Sequence, residues 1–144
     1  NNKSSDCDIS GVNIIGNGKP DSVGVLIDGH DNTFTNMRIA DVFTGFHIRA
    51  GGNSMRNIHP LYTCDYTNYV NSCGFLDEWG SNWYNFCYSD HFGIGFRTFP
   101  GVKNICDSCF VMWYCNREIS HALELFFKAY KLMIVCCKQG LATH

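Results

Sequence analysis

The chain has 144 residues, a formal net charge of −2, and a composition 45% hydrophobic and 15% aromatic. Disorder is excluded by that hydrophobic content, and the charge gives no basic footprint for nucleic acid. One domain spanning 1–144, with its own core, is the natural reading of the length. No apolar run reaches the ~18 residues that a membrane-spanning helix needs. The longest, Leu132-Met-Ile-Val-Cys-Cys137, is strand-sized. Neither nucleic acid nor a membrane is an expected partner.

Residues 1–10 are polar and read as an irregular lead-in. The chain starts at Asn1 with no recognisable signal peptide, so a processed chain or part of a longer one is expected. Nine cysteines are present, an odd number in a chain too apolar to need a disulfide framework. Mostly free, buried thiols made in a reducing compartment are expected, with a few disulfides after export as the alternative.

Gly11-Val-Asn-Ile-Ile15 is a short β-branched run closed by the turn cluster Gly16-Asn-Gly-Lys-Pro20. The next stretch is written twice. Gly24-Val-Leu-Ile27 is followed by a glycine turn and Asn32-Thr-Phe-Thr-Asn36. Gly45-Phe-His-Ile48 is followed by a glycine turn and Asn53-Ser-Met-Arg-Asn57. The offset is 21 residues, and a repeat governs every later reading. A fourth copy opens at Gly74-Phe-Leu-Asp-Glu78 and a fifth at Gly93-Ile-Gly-Phe-Arg97. A degenerate sixth covers Ala122–Phe126 and Lys131–Ile134. Asn36, Asn57, Asn85 and Asn104 form one column in this reading.

Strands of 3 to 5 residues recurring at about 20 cannot each bury a face alone. They can if every turn of chain stacks on the one before, about 4.8 Å higher. Asparagine suits the corners because it tolerates the left-handed conformation, and stacked asparagines can bond from coil to coil. The expected fold is therefore all-β, a parallel β-helix (solenoid) of about five to six coils. An antiparallel sandwich is the rival, but it does not predict aligned columns. Residues 118–144 are expected to be a degenerate last coil or cap. Within them, Glu118–Leu132 has some helical spacing, with Ser120 as a cap.

The Gly-apolar-x-Ile and Asn-x-apolar-x-Asn pattern resembles the right-handed parallel β-helix proteins of the pectate-lyase-like superfamily, over about residues 11–137. That group includes polysaccharide lyases, glycoside hydrolases and phage tailspike depolymerases. The resemblance implies a right-handed helix that cleaves or binds polysaccharide or oligosaccharide, acting extracellularly if secreted or tailspike-like. The alternative is a non-catalytic glycan-binding or structural domain. Gly29-His30-Asp31 shares two residues with the Gly-His-Gly of β-helical polygalacturonases, and that catalytic site is not carried over.

Asp28, Arg49, Glu78 and Arg97 form a second column. It is either a solvated face with alternating charge or the floor of a glycan groove, with Arg49 and Arg97 gripping carboxylates. The best acid/base candidates are Asp77, Glu78, Asp90 and His91. Two carboxylates about 5.5 or 6.5 to 9.5 Å apart would suit glycoside hydrolysis, although Asp77 and Glu78 should point to opposite faces of a regular strand. Two long segments, 59–71 and 107–118, are read as loops projecting from the third and fifth coils. Tyr62, Tyr66, Tyr69, Trp113 and Tyr114 there either stack on sugars or pack the loops down. Cys106, Cys109, Cys115 and His121 have zinc-like spacing, but buried thiols are the preferred reading. Neither metal nor cofactor is expected. His47 and His59 read as lone structural histidines. Bare coil ends would aggregate, so the lead-in, the 118–144 segment, flanking domains or a homo-oligomer should cover them.

Overall fold

The computed structural model describes residues 3–64, 71–99, 103–114, 128–129 and 132–137. Every strand pairing among them is parallel. The four-stranded sheet runs β10 (Ile94–Thr98), β7 (Cys73–Asp77), β5 (Thr44–Ile48), β3 (Val23–Ile27). The ten-stranded sheet is built in tiers: β1 (Asp8–Ser10) with β2 (Asn13–Ile15), then β4 (Thr33–Ala40), then β6 (Ser54–Leu61). Above these come β8 (Trp83–Asn85) with β9 (Tyr88–Asp90), β11 (Ile105–Asp107) with β12 (Cys109–Tyr114), and β13 (Lys128–Ala129) with β14 (Leu132–Cys137). The chain visits the two sheets alternately, giving a parallel β-solenoid of about four turns. The five to six coils expected from the repeat count differ because the first and last tiers have no described strand in the smaller sheet.

Three bends shape each turn. Asp31, Gly52 and Ser81 have positive φ where the chain leaves the small sheet, and Asp6 has it just before β1. A second column, Gly11, Asn36, Asn57, Phe86 and Ser108, bends the large sheet, within β4 and β6 and between the paired short strands β1 and β2, β8 and β9, and β11 and β12. Asp41 and His91 begin the return. Asn85 and Asn104 therefore do not join Asn36 and Asn57. Asn85 lies opposite Arg56 and Asp107, one residue before the bend.

Asn104 belongs to a different and buried column. Oδ1 of Asn32, Asn53, Asn82 and Asn104 accepts the backbone N–H of Cys7, Asn32, Asn53 and Asn82 respectively, at 2.8–3.0 Å. Buried polar groups must be paired, and this ladder pairs them from coil to coil. Its lower end is closed by the lead-in, where Asp8–Ser10 form a strand rather than irregular chain.

Inward side chains stack by type. Val25, Phe46, Phe75 and Phe96 form one column, with ring centroids 5.7 and 4.5 Å apart along it. Phe34, Met55, Tyr84 and Cys106 form the next. Gly24, Gly45, Gly74 and Gly95 make this closeness possible. A Cβ on Gly24, Gly45 or Gly74 would lie within 2.8 Å of the glycine carbonyl of the following coil. The six cysteines described are free, and Cys73, Cys87, Cys106 and Cys109 are buried. The proposed helix over 118–132 falls largely outside the described residues. Residues 107–114, expected as a projecting loop, instead continue the large sheet.

Candidate functional site

Strand alternation sets two outward rows on the small sheet. Leu26, His47, Leu76 and Arg97 form one, and Asp28, Arg49, Glu78 and Phe99 the next. Arg97 thus stands beside Leu76, not Glu78. The fifth coil opens at Gly95, two residues later than the sequence reading placed it. Arg49 Nε donates to Asp28 Oδ1 at 2.6 Å, and His47 Nε2 lies 3.1 Å from Glu78 Oε1. Such exposed pairs stabilise by under ~1 kcal/mol each. A cavity of about 410 Å³ opens beside them, lined by Asp21, Thr44, His47, Asn71, Cys73 and Arg97. Burial pushes the Cys73 thiol up to about 12, so it offers no thiolate nucleophile at neutral pH.

Asp77 and Glu78 do face opposite ways. Glu78 is exposed and Asp77 is 1% exposed, in the inward column of Ile27 and Ile48. Its carboxylate accepts from the N–H of Trp79 and Gly80, from Asn82 Nδ2, and from the Tyr84 hydroxyl at 2.6 Å. Burial and this carboxylate push the Tyr84 hydroxyl well up, which keeps it a donor. Asp77 is therefore tied into the interior, out of reach of a surface substrate.

Asp90 and His91 lie on the other sheet, and the structure adds His59 to them. Leu61 pairs with Asp90, which brings the preceding turn's His59 alongside. Asp90 Oδ1 pairs with His91 Nδ1, and Oδ2 lies 3.7 Å from His59 Nε2. His59 also stacks on Tyr88, centroids 4.5 Å apart. Its pKa is lowered chiefly by burial, with Arg38 adding to the effect and Asp90 opposing it. The unfolded chain then takes up this proton more readily than the folded one. Stability is expected to fall as pH drops below about 6.5, until the folded form protonates as well. Urea midpoints between pH 7 and pH 5 check this: the drop should shrink in His59→Gln, and an unchanged drop would remove His59 as its source.

Tyr62 turns inward. It packs against Phe92, and its hydroxyl donates to the Gly18 carbonyl at 3.3 Å. Tyr66 and Tyr69 lie outside the described residues, as do Cys115 and His121, and Trp113 and Tyr114 are described in backbone only. The aromatics that do face solvent are ones the sequence reading passed over. Trp83, 46% exposed, stands beside Ile105 in the next coil, and Phe86, 52% exposed, follows at the bend. Trp79 sits at the corner, its indole over Gly51. The signal available in sequence was the pair Trp79 and Trp83 flanking a turn in one coil. No group of three or more His, Cys, Asp or Glu suited to a metal occurs among the described residues.

Comparison with known proteins finds no matching family model, no matching curated protein and no matching solved structure.

Proposed function

We propose that this chain is a glycan-binding β-solenoid that holds a polysaccharide against the exposed aromatic residues Trp83 and Phe86 of its fourth coil. Phe86 is the observation that carries the reading. A bulky residue in the left-handed region is an outlier that costs about 1 to 2 kcal/mol. The equivalent bends use Gly11, Asn36, Asn57 and Ser108. Half-exposed Phe86 recovers little of that cost by burial, and exposed Trp83 of the same coil offers a flat amphipathic face. Strained, exposed residues of this kind concentrate at binding sites. Arg97 and Arg49 stand on the other, smaller sheet, where Arg49 is already paired with Asp28, so they are not contacts of this aromatic site.

Binding is favoured over cleavage by where the carboxylates stand. Glu78 and Asp90 lie on different sheets, and Asp77 is inside. Asp28 and Glu78 share a face, but each already faces a basic partner, Arg49 and His47 respectively.

Affinity electrophoresis through a panel of neutral and uronate polysaccharides tests the proposal. At least one should retard the protein, and Trp83→Ala and Phe86→Asn should restore free mobility. Phe86→Asn should also be more stable than the parent by about 1 kcal/mol, because asparagine relieves the bend. Free mobility of the parent in the whole panel, or variants as retarded as the parent, would overturn it. Unsaturated or reducing-end products would point to cleavage instead.

A further inference from the structure

A second site lies on the large sheet, on its other half and away from Trp83. Outward residues there stack as Asn13, Arg38, His59 and Tyr88. A cavity of about 320 Å³ opens among them, lined by Asn13, Ile15, Arg38, Ala40, His59 and Leu61. That volume is at the small end of the range for ligand sites.

We infer that this cavity binds a small organic anion, with the charged head between Arg38 and His59 and a compact apolar body against Ile15, Ala40 and Leu61. Charge sets the sign of the ligand. Arg38 has no carboxylate partner among the described residues. Asp90, the one carboxylate facing His59 among the described residues, is shared between His59 and His91. Protonating His59 leaves the site net positive once Arg38 is counted. Guanidinium and imidazolium then present donors to one acceptor head. The wall sets the body. Ile15 is 79% exposed at the rim, so covering it removes apolar surface from water.

Geometry also sets the pH response. The groups facing His59 are Arg38 from β4, Tyr88 and Asp90 from β9, and His91 just beyond β9. Burial lowers the His59 pKa, with Asp90 opposing and Arg38 adding to it, and a bound anion favours the protonated form. Binding and proton uptake are therefore linked, and affinity should be higher in mildly acid than in neutral solution.

Benzoate is a suitable probe, with benzamide as its uncharged counterpart, titrated by calorimetry or ligand-observed NMR at pH 5.5 and 7.5. Benzoate should bind more tightly at pH 5.5, and benzamide at least about tenfold more weakly than benzoate. Arg38→Gln should weaken benzoate by about tenfold or more. Arg38 is exposed, so its replacement leaves the core intact, and an unchanged melting curve checks this. His59→Gln should abolish the pH dependence while leaving part of the binding. No benzoate binding, equal binding of benzamide, or full affinity in Arg38→Gln would each overturn the inference. These outcomes are independent of polysaccharide retention, which reads the other half of the sheet.

Discussion

Replacing Asn53 by alanine is expected to destabilise the fold by about 3 to 4 kcal/mol, a large part of the 5 to 15 kcal/mol typical of a domain. Asn53 is fully buried. Its Oδ1 accepts from both the backbone N–H and the side-chain Nδ2 of Asn32, each at 3.0 Å. Its Nδ2 donates to the carbonyl oxygens of Ala50 and Gly51. Alanine leaves the two Asn32 donors and the Ala50 carbonyl without these partners, while the Gly51 carbonyl keeps the Asp31 N–H, and each buried orphan costs about 1 to 3 kcal/mol. Some relaxation is included in the figure. The melting temperature should fall by roughly 10 °C for a chain of this size. Asn57→Gly makes the contrast. Asn57 bonds only Asn36, at the surface, and its φ of 51° suits glycine, so that change should cost under ~1 kcal/mol. Equilibrium urea unfolding decides it. A loss below about 0.5 kcal/mol in Asn53→Ala would show that the inner ladder contributes little.

The second large effect is expected at Asp77. Its column holds Ile27 and Ile48 in the two preceding coils, so isoleucine matches the local pattern and would be stabilising if hydrophobicity alone decided. It is expected instead to cost about 4 to 5 kcal/mol. Four donors converge on the carboxylate, and hydrogen bonds to a charged acceptor are worth about 1.5 to 3 kcal/mol each before compensation. Isoleucine strands all four. Removing one of them as well, in Asp77→Ile with Tyr84→Phe, should recover about 1 to 2 kcal/mol, which a double-mutant cycle isolates. If Asp77→Ile alone is as stable as the parent, the carboxylate is not what organises this corner.

The scaffold was legible where the repeat is regular. Gly24 and Gly45 open equivalent strands, and Asn36 and Asn57 do occupy equivalent bends. Beyond them the spacing changes. The inner asparagines stand 21, 29 and 22 residues apart. With the bends at Phe86 and Ser108 lacking asparagine, the nearest asparagines, Asn85 and Asn104, were drawn into the wrong column. Position relative to the glycine turn, Asn followed two residues later by Phe34, Met55, Tyr84 or Cys106, is the pattern that identifies the inner ladder. Arg97 was displaced for a similar reason, since Gly93 and Gly95 both fit a coil opening and only the stacking of Phe75 on Phe96 separates them.

Site residues were less legible because they depend on register across the longest interval. His59 looks solitary in sequence and meets Asp90 only through the pairing of Leu61. Tyr62 sits in that interval, yet its ring goes to the interior. Asp77 and Glu78 were separated correctly by strand alternation. That Asp77 would be held by Tyr84 required knowing that the corner folds back over it. Phe86 carries no motif at all. Its significance lies in a backbone angle.

The most direct test of the glycan-binding reading is the response of individual side chains to an oligosaccharide cut from a polysaccharide that retards the protein. Tryptophan indole N–H signals in a ¹H–¹⁵N spectrum report it. Trp83 should shift progressively and to saturation, and Phe86→Asn should abolish the shift while leaving the spectrum of a folded protein. A Trp83 signal that stays still while the oligosaccharide moves the Arg97 guanidinium signal would contradict the aromatic site and transfer binding to the small sheet.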